Sequence, residues 1–199
     1  MRHGFWQRRL RARKFDPELT PFRSTKLDPL SVRVSFDLAV KFFFERKIDL
    51  AVEQLEKTIA MEPNNDLTCD FLGQVLWKIN KPARAVEFFE RANILKGDFS
   101  QEELAEMQKA YAASGLSAYL RKQCEVMQLH VVRGKYQSPL RIAMAYAAAG
   151  DDDETLQWLE KAAEEHTPWL PELKVEPTWD AVRSQPRFIA ILKKMGLEK

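Results

Sequence analysis

Apolar residues recur along most of this chain at the spacing of one face of a helix, and the recurrence predicts helices over about 35–46, 48–61, 66–79 and 82–96. Pro82 suits the first turn of its helix, where a missing N–H costs nothing. Ser100 followed by Glu103 is a capping box that opens a further helix over about 101–114. Gly115 breaks it, and a second stretch over about 116–132 carries Leu116, Leu120, Cys124, Met127 and Val131 on one stripe. Another pair is expected over about 138–149 and 152–165, split by Gly150 and an Asp run whose charges suit the start of the second helix. Beyond it Pro168, Pro171, Pro177 and Pro186 punctuate Trp169, Leu170, Leu173, Val175 and Trp179. Phe188, Ile191, Leu192 and Met195 then form the apolar stripe of a last helix. The predicted fold class is all-α.

The pattern has a second, longer period. Pro29, Pro63 and Gly97 stand 34 residues apart and close similar phrases: Lys26-Leu27-Asp28-Pro29, Ala60-Met61-Glu62-Pro63 and Ile94-Leu95-Lys96-Gly97. A fixed period of this length marks a solenoid of two-helix repeats. Such repeats bury their apolar faces only by stacking on one another, which leaves a long groove.

Within the period the register is specific. With Val32 as position 1, Leu38, Ala39, Phe42, Ala51, Leu55 and Pro63 fall at positions 7, 8, 11, 20, 24 and 32. Starting at Asp66, the same positions hold Leu72, Gly73, Leu76, Ala85, Phe89 and Gly97, with Ala92 at position 27. A third match starting at Tyr136 places Ile142, Ala143, Tyr146, Leu159 and Ala162 at positions 7, 8, 11, 24 and 27, and departs with Thr155 at 20 and Thr167 at 32. These residues resemble the tetratricopeptide repeat, in which small residues at positions 8 and 20 let paired helices approach closely. The resemblance implies a right-handed solenoid of units 32–65, 66–99, a degenerate 100–133, and 136–169. A Pro/Trp-rich cap over 170–199 would close it, since terminal repeats need an atypical outer face.

The likeness extends over about residues 26–199. The string from Ala145 to Asp151, then Trp158-Leu159-Glu160-Lys161-Ala162, Pro168-Trp169-Leu170, Pro186-Arg187-Phe188 and Met195-Gly196-Leu197 resembles the C-terminal end of bacterial tetratricopeptide regions. In those proteins the region follows a winged-helix DNA-binding domain, a Ser/Thr kinase or a cyclase, and serves sensing or interaction. This chain carries no Gly-rich nucleotide loop, kinase motif or winged-helix segment. Arg23 to Pro29 reads as the tail of a repeat whose first helix is missing, as if the array began in a longer protein.

Composition narrows the class. The chain has 199 residues, 45% hydrophobic and 30% charged, with seven Gly. It is long enough for one sizeable core and ordinary in polarity. It lacks an apolar run of the roughly 18 residues a membrane-spanning helix needs, and it lacks a secretory h-region, so a cytoplasmic location is expected. The net charge of +2 hides an asymmetry. Residues 1–31 hold eight Lys/Arg and three Asp/Glu, giving +5, which leaves −3 for the remainder. This N-terminal arm interleaves Phe5, Trp6, Leu10 and Phe15 with arginines and is expected to contribute little to the core over 1–22. Contact with nucleic acid or an anionic surface competes there with a linker remnant. Two cysteines, Cys69 and Cys124, do not make a disulfide framework.

Chemistry is sparse. His3, His130 and His166 lack metal-ligand spacing, and Cys124 and His130 are six apart on one predicted helix, which does not set them side by side. Neither an enzyme nor a cofactor is expected. The resemblance implies that positions 2, 5, 9, 12 and 13 of each first helix line the concave groove. Those are Arg33, Phe36, Val40, Phe43 and Phe44, then Leu67, Asp70, Gln74, Trp77 and Lys78. So apolar a surface suits a peptide or amphipathic helix. It equally suits cover by a neighbouring helix, by the N-terminus or by a second copy in a homodimer, because large exposed patches are rare on monomers. The chaperone-tail carboxylate clamp of the family needs Lys and Asn where this chain has Phe36 and Val40, so that ligand is not expected. The functional expectation is a non-enzymatic scaffold for a protein or peptide partner. The alternative is a detached sensory region of a bacterial regulator or signalling protein whose basic arm touches nucleic acid or another anionic surface.

Overall fold

The computed structural model describes residues 31–168 and 170–197, and the basic arm and the Arg23–Pro29 phrase lie outside them. Among the described residues the protein is all-α, with eight α-helices and no strand. They are α1 (Val32–Phe44), α2 (Ile48–Met61), α3 (Asp66–Lys78), α4 (Pro82–Lys96), α5 (Gln101–Val132), α6 (Pro139–Ala149), α7 (Asp152–Glu164) and α8 (Pro186–Lys194). Two 3-10 segments, Leu170–Lys174 and Pro177–Trp179, lie between α7 and α8.

Local chemistry sets the helix starts. Ser31 Oγ accepts the Val34 N–H, and Asn65 Oδ1 accepts that of Thr68 at 2.9 Å. The Ser100–Glu103 capping box forms in both directions, at 3.2 and 2.8 Å. Asp151 caps α7 by accepting the Glu154 N–H at 3.3 Å. Pro82, Pro139 and Pro186 each sit in a first turn. The first helix starts at Val32, three residues before its expected start, because Ser31 supplies a cap.

The helix ends share one device. Arg46, Asn80, Gly134, Gly150, His166 and Gly196 all take positive φ. The residue after each returns its N–H to a carbonyl one helical turn back, as in Lys47 to Phe42, Lys81 to Leu76 and Asp151 to Tyr146. The expected break at Gly115 appears as a sharp kink inside α5, where Ser114 (φ −148°, ψ 18°) and Gly115 (φ 75°, ψ −163°) leave helical geometry. Only glycine reaches that Gly115 conformation without steric cost.

Helices adjacent in sequence pack on one another from α1 through α8, and α6 also packs on the Pro177–Trp179 turn. The small residues lie where helices meet: Ala39, Ala51, Ala85, Ala92, Ala143 and Ala162 are fully buried. Between α3 and α4 the approach is tight enough that a Cβ on Gly73 would stand 2.7 Å from Phe89 Cδ1. Thr155 fits at a position where alanine was expected because its hydroxyl donates to the Asp151 carbonyl at 2.6 Å. Ala85→Leu is expected to overpack this seam and cost about 1–3 kcal/mol. Urea unfolding reads the effect, and an unchanged midpoint would refute close packing at Ala85.

The last segment packs on α6 and α7. Trp179 and Phe188 are fully buried, and Leu192 is partly buried against the same core. No helix among the described residues is long and apolar enough to cross a membrane.

Candidate functional site

The ten expected groove residues divide into three groups. Phe36 and Phe43 are corrections: they are 6% and 1% exposed and lie in the core. The reason is Phe71 on α3, whose ring stands 5.6 Å from Phe36 and 5.3 Å from Phe43, edge-on to both. Edge-to-face packing at these distances adds to area burial. The residues therefore join α1 to α3 instead of facing outward.

Arg33, Leu67 and Asp70 form the second group. Arg33 is exposed and pairs with Asp37 at 3.0 Å one turn on. Leu67 is 49% exposed near the start of α3. Asp70 is taken up by Lys96 of α4 at 3.1 Å. None of the three is drawn toward the others by a shared contact.

Val40, Phe44, Gln74, Trp77 and Lys78 make up the third group and remain partly accessible. Phe44 tilts against Phe43 with centroids 6.2 Å apart. The Lys78 ammonium stands 5.4 Å from the Trp77 ring centroid. Gln74 Oε1, one turn earlier on α3, is buried and accepts no hydrogen bond. Burial is also the main reason that the Lys78 ammonium titrates below the ordinary lysine range.

The segment after α7 reaches Lys78 from the far end of the chain. Asp180, directly after buried Trp179, accepts two hydrogen bonds from the Arg46 guanidinium, at 2.5 and 2.9 Å. Lys78 Nζ stands 3.9 Å from the same carboxylate. Arg183 also reaches Asp180, at 3.1 Å, and donates to the carbonyls of Leu173, Lys174 and Glu176. One guanidinium thus ties the two 3-10 turns together. The hydrogen bond from Arg46 is the main cause that holds Asp180 below the usual carboxylate range. Its contribution is present at neutral pH and is lost as pH falls through that lowered value. Asp180 is 36% exposed, so the pair contributes at most about 1 kcal/mol.

Glu176 has the opposite electrostatics. It is buried, accepts from Thr178 Oγ1 at 2.8 Å and Trp179 Nε1 at 3.1 Å, and burial pushes its carboxyl above the ordinary range. Burial also pushes Glu172 up, and its Oε2 has no hydrogen-bond partner. Ionising these two acids as pH rises from the ordinary glutamate range weakens the segment, the reverse of the Asp180 effect.

The remaining polar groups are structural in their contacts. His130 is buried, stacks on Phe99 with centroids 5.8 Å apart and meets Glu103 at 2.8 Å. Arg141 joins Asp98 at 2.6 Å to Asn93 at 3.1 Å. Cys69 and Cys124 are buried free thiols whose pKa burial raises, which makes them poor nucleophiles. An open trough between α4 and the first half of α5 includes Ile94 and Leu104, and Gln108 and Glu90 bond to each other across it at 2.5 Å. Among the described residues no three His, Cys, Asp or Glu converge as metal ligands would.

Reading the chain alone missed the Arg46–Asp180 pair. One signal existed: Arg46 stands 34 residues before Asn80, at a helix-ending turn where asparagine or glycine is the usual occupant. None of the protein-family models compared with the chain matches it, and neither does any curated protein sequence.

Proposed function

We propose that the chain is a tetratricopeptide-type right-handed solenoid with a Pro/Trp-rich C-terminal cap, which binds a peptide or helix of a protein partner in its concave groove and catalyses nothing. Support for the solenoid comes from helix starts that recur at 34 residues, Val32 to Asp66 and Ile48 to Pro82. The full burial of Ala39, Ala51, Ala85 and Ala143 at the small-residue positions of the register supports it further. The cap is supported by the burial of Trp179 and Phe188 beyond the last helix pair.

The observation that carries the binding role is the accessible remainder of the expected groove. Val40, Phe44 and Trp77 stay partly open, with Lys78 over the Trp77 ring, although each packs against the core. Aromatic anchors of this kind often dominate binding, and truncating one costs about 2 kcal/mol or more. The groove takes an apolar segment, with Trp77 as the central contact.

Trp77→Ala is therefore expected to remove proteins that the immobilised chain retains from native cell extract, with a smaller loss of stability. Light scattering on both proteins separates a foreign partner from a second copy of the chain, since a dimer would shift toward monomer. If Trp77→Ala altered neither retention nor oligomeric state and only lowered the melting temperature, Trp77 would be a core residue and the groove reading would fail.

A further inference from the structure

Arg46 occupies a costly backbone position. It ends α1 at φ 64°, while the corresponding turns after α3 and α7 have Asn80 at φ 55° and His166 at φ 52°, and those after α5, α6 and α8 have glycine. A long side chain in the left-handed region is uncommon and persists where the surrounding structure over-determines it. Its backbone is held by the turn bonds common to these helix ends, Arg46 N–H to Phe43 and Lys47 N–H to Phe42, and its side chain makes a bidentate pair with a carboxylate 134 residues away. Bidentate geometry is the form in which arginine recognises carboxylates selectively.

Two cations from separate elements, Arg46 of the α1–α2 turn and Lys78 of α3, face one acid from the C-terminal segment. The site is open: Arg46 is 50% and Asp180 36% exposed. Lys78 lies beyond hydrogen-bond distance of Asp180, so one carboxylate does not satisfy both cations. Trp77 lies beside it, under the Lys78 ammonium. Arg183 also pairs with Asp180, at 3.1 Å, but the turn is seated by buried Trp179 and by the Arg183 bonds to the Leu173 and Glu176 carbonyls, which do not involve the Asp180 carboxylate.

We propose that Arg46 and Lys78 form a carboxylate receptor at the rim of the groove, occupied by Asp180 until a partner arrives. The partner is a peptide segment bearing an Asp or Glu next to an aromatic or aliphatic residue. Its acid replaces Asp180 on Arg46 and its apolar neighbour lies on Trp77. The inference rests on the groove reading and adds the charge of the partner. Exchange of one exposed ion pair for another costs little, while the tethered Asp180 competes at high effective concentration. Affinity therefore rises when Asp180 is neutralised.

The test uses a random dodecapeptide library displayed on phage and selected on the immobilised full chain carrying Asp180→Asn. Circular dichroism and melting establish that this conservative exposed change leaves the fold intact. Selected peptides are expected to be enriched in Asp or Glu beside an apolar residue, and the enrichment is expected to vanish on Asp180→Asn/Arg46→Ala. A selected peptide, labelled and followed by fluorescence anisotropy, should bind wild type at least ten-fold more weakly than Asp180→Asn. Its Asn or Gln twin should lose at least ten-fold on Asp180→Asn, and rising salt should weaken the acidic form alone. Peptides without acid enrichment that still need Trp77 would overturn the receptor and leave the groove. Failure to select any peptide would overturn both.

Discussion

Phe43→Ala is expected to destabilise the protein by about 3–5 kcal/mol, the usual cost of emptying a buried phenylalanine site. Phe43 is 1% exposed, and its ring meets Phe71 at 5.3 Å and Phe44 at 6.2 Å. Removing it leaves a void between α1 and α3 that the remaining rings cannot fill, because Phe36 is already committed to the other side of Phe71. For a chain of this size the loss corresponds to a fall in melting temperature on the order of 10 °C. Urea unfolding gives the free energy directly. A wild-type midpoint combined with lost partner binding would return Phe43 to the groove wall and reject the core assignment. Trp77 stands 34 positions after Phe43, at the same point of the next first helix. One should act through stability and the other through binding.

The second large effect is expected at the opposite end. Phe188 is fully buried where α8 packs on α7, with the Arg183 guanidinium 5.9 Å from its ring centroid. Phe188→Ala should also cost about 3–5 kcal/mol. It removes the contact that seats α8, and it loosens the Arg183 staple across Leu173, Lys174 and Glu176. The folded fraction should still bind partner, because Val40, Phe44 and Trp77 belong to the first two helix pairs. Denaturant unfolding alongside binding per folded molecule distinguishes the cases. Lost binding at unchanged stability would make the C-terminal segment itself the interaction surface.

Much of this architecture is legible in the chain because its determinants are local. Ser31, Asn65, Ser100 and Asp151 cap helices with side chains three residues from the N–H groups they satisfy. Pro82, Pro139 and Pro186 stand in first turns and Arg46, Asn80 and Gly150 stand at helix ends, each for a steric reason that one residue carries with it. Helices then pack on their sequence neighbours, so the small residues at Ala39, Gly73, Ala51 and Ala85 mark contacts in advance. The kink at Gly115 follows from the same local rule.

The candidate site was only half legible. Helical spacing locates the apolar face of α1 but not what that face meets. Phe36 and Phe43 looked like an exposed wall until Phe71, from the next pair, was placed between them. Trp77, at the position equivalent to Phe43, is left partly open, a difference that no property of the two residues alone foretells. The Arg46–Asp180 pair depends on the path of two 3-10 turns and a buried tryptophan across 134 residues. What the sequence by itself determined was therefore the all-α class, the succession of helices and the 34-residue period, since capping, turn sterics and periodicity act within a few residues. Only the tertiary structure decided which aromatic rings are core, which stay accessible, and which carboxylate faces Arg46 and Lys78, because those outcomes depend on surfaces contributed by residues far apart in the chain.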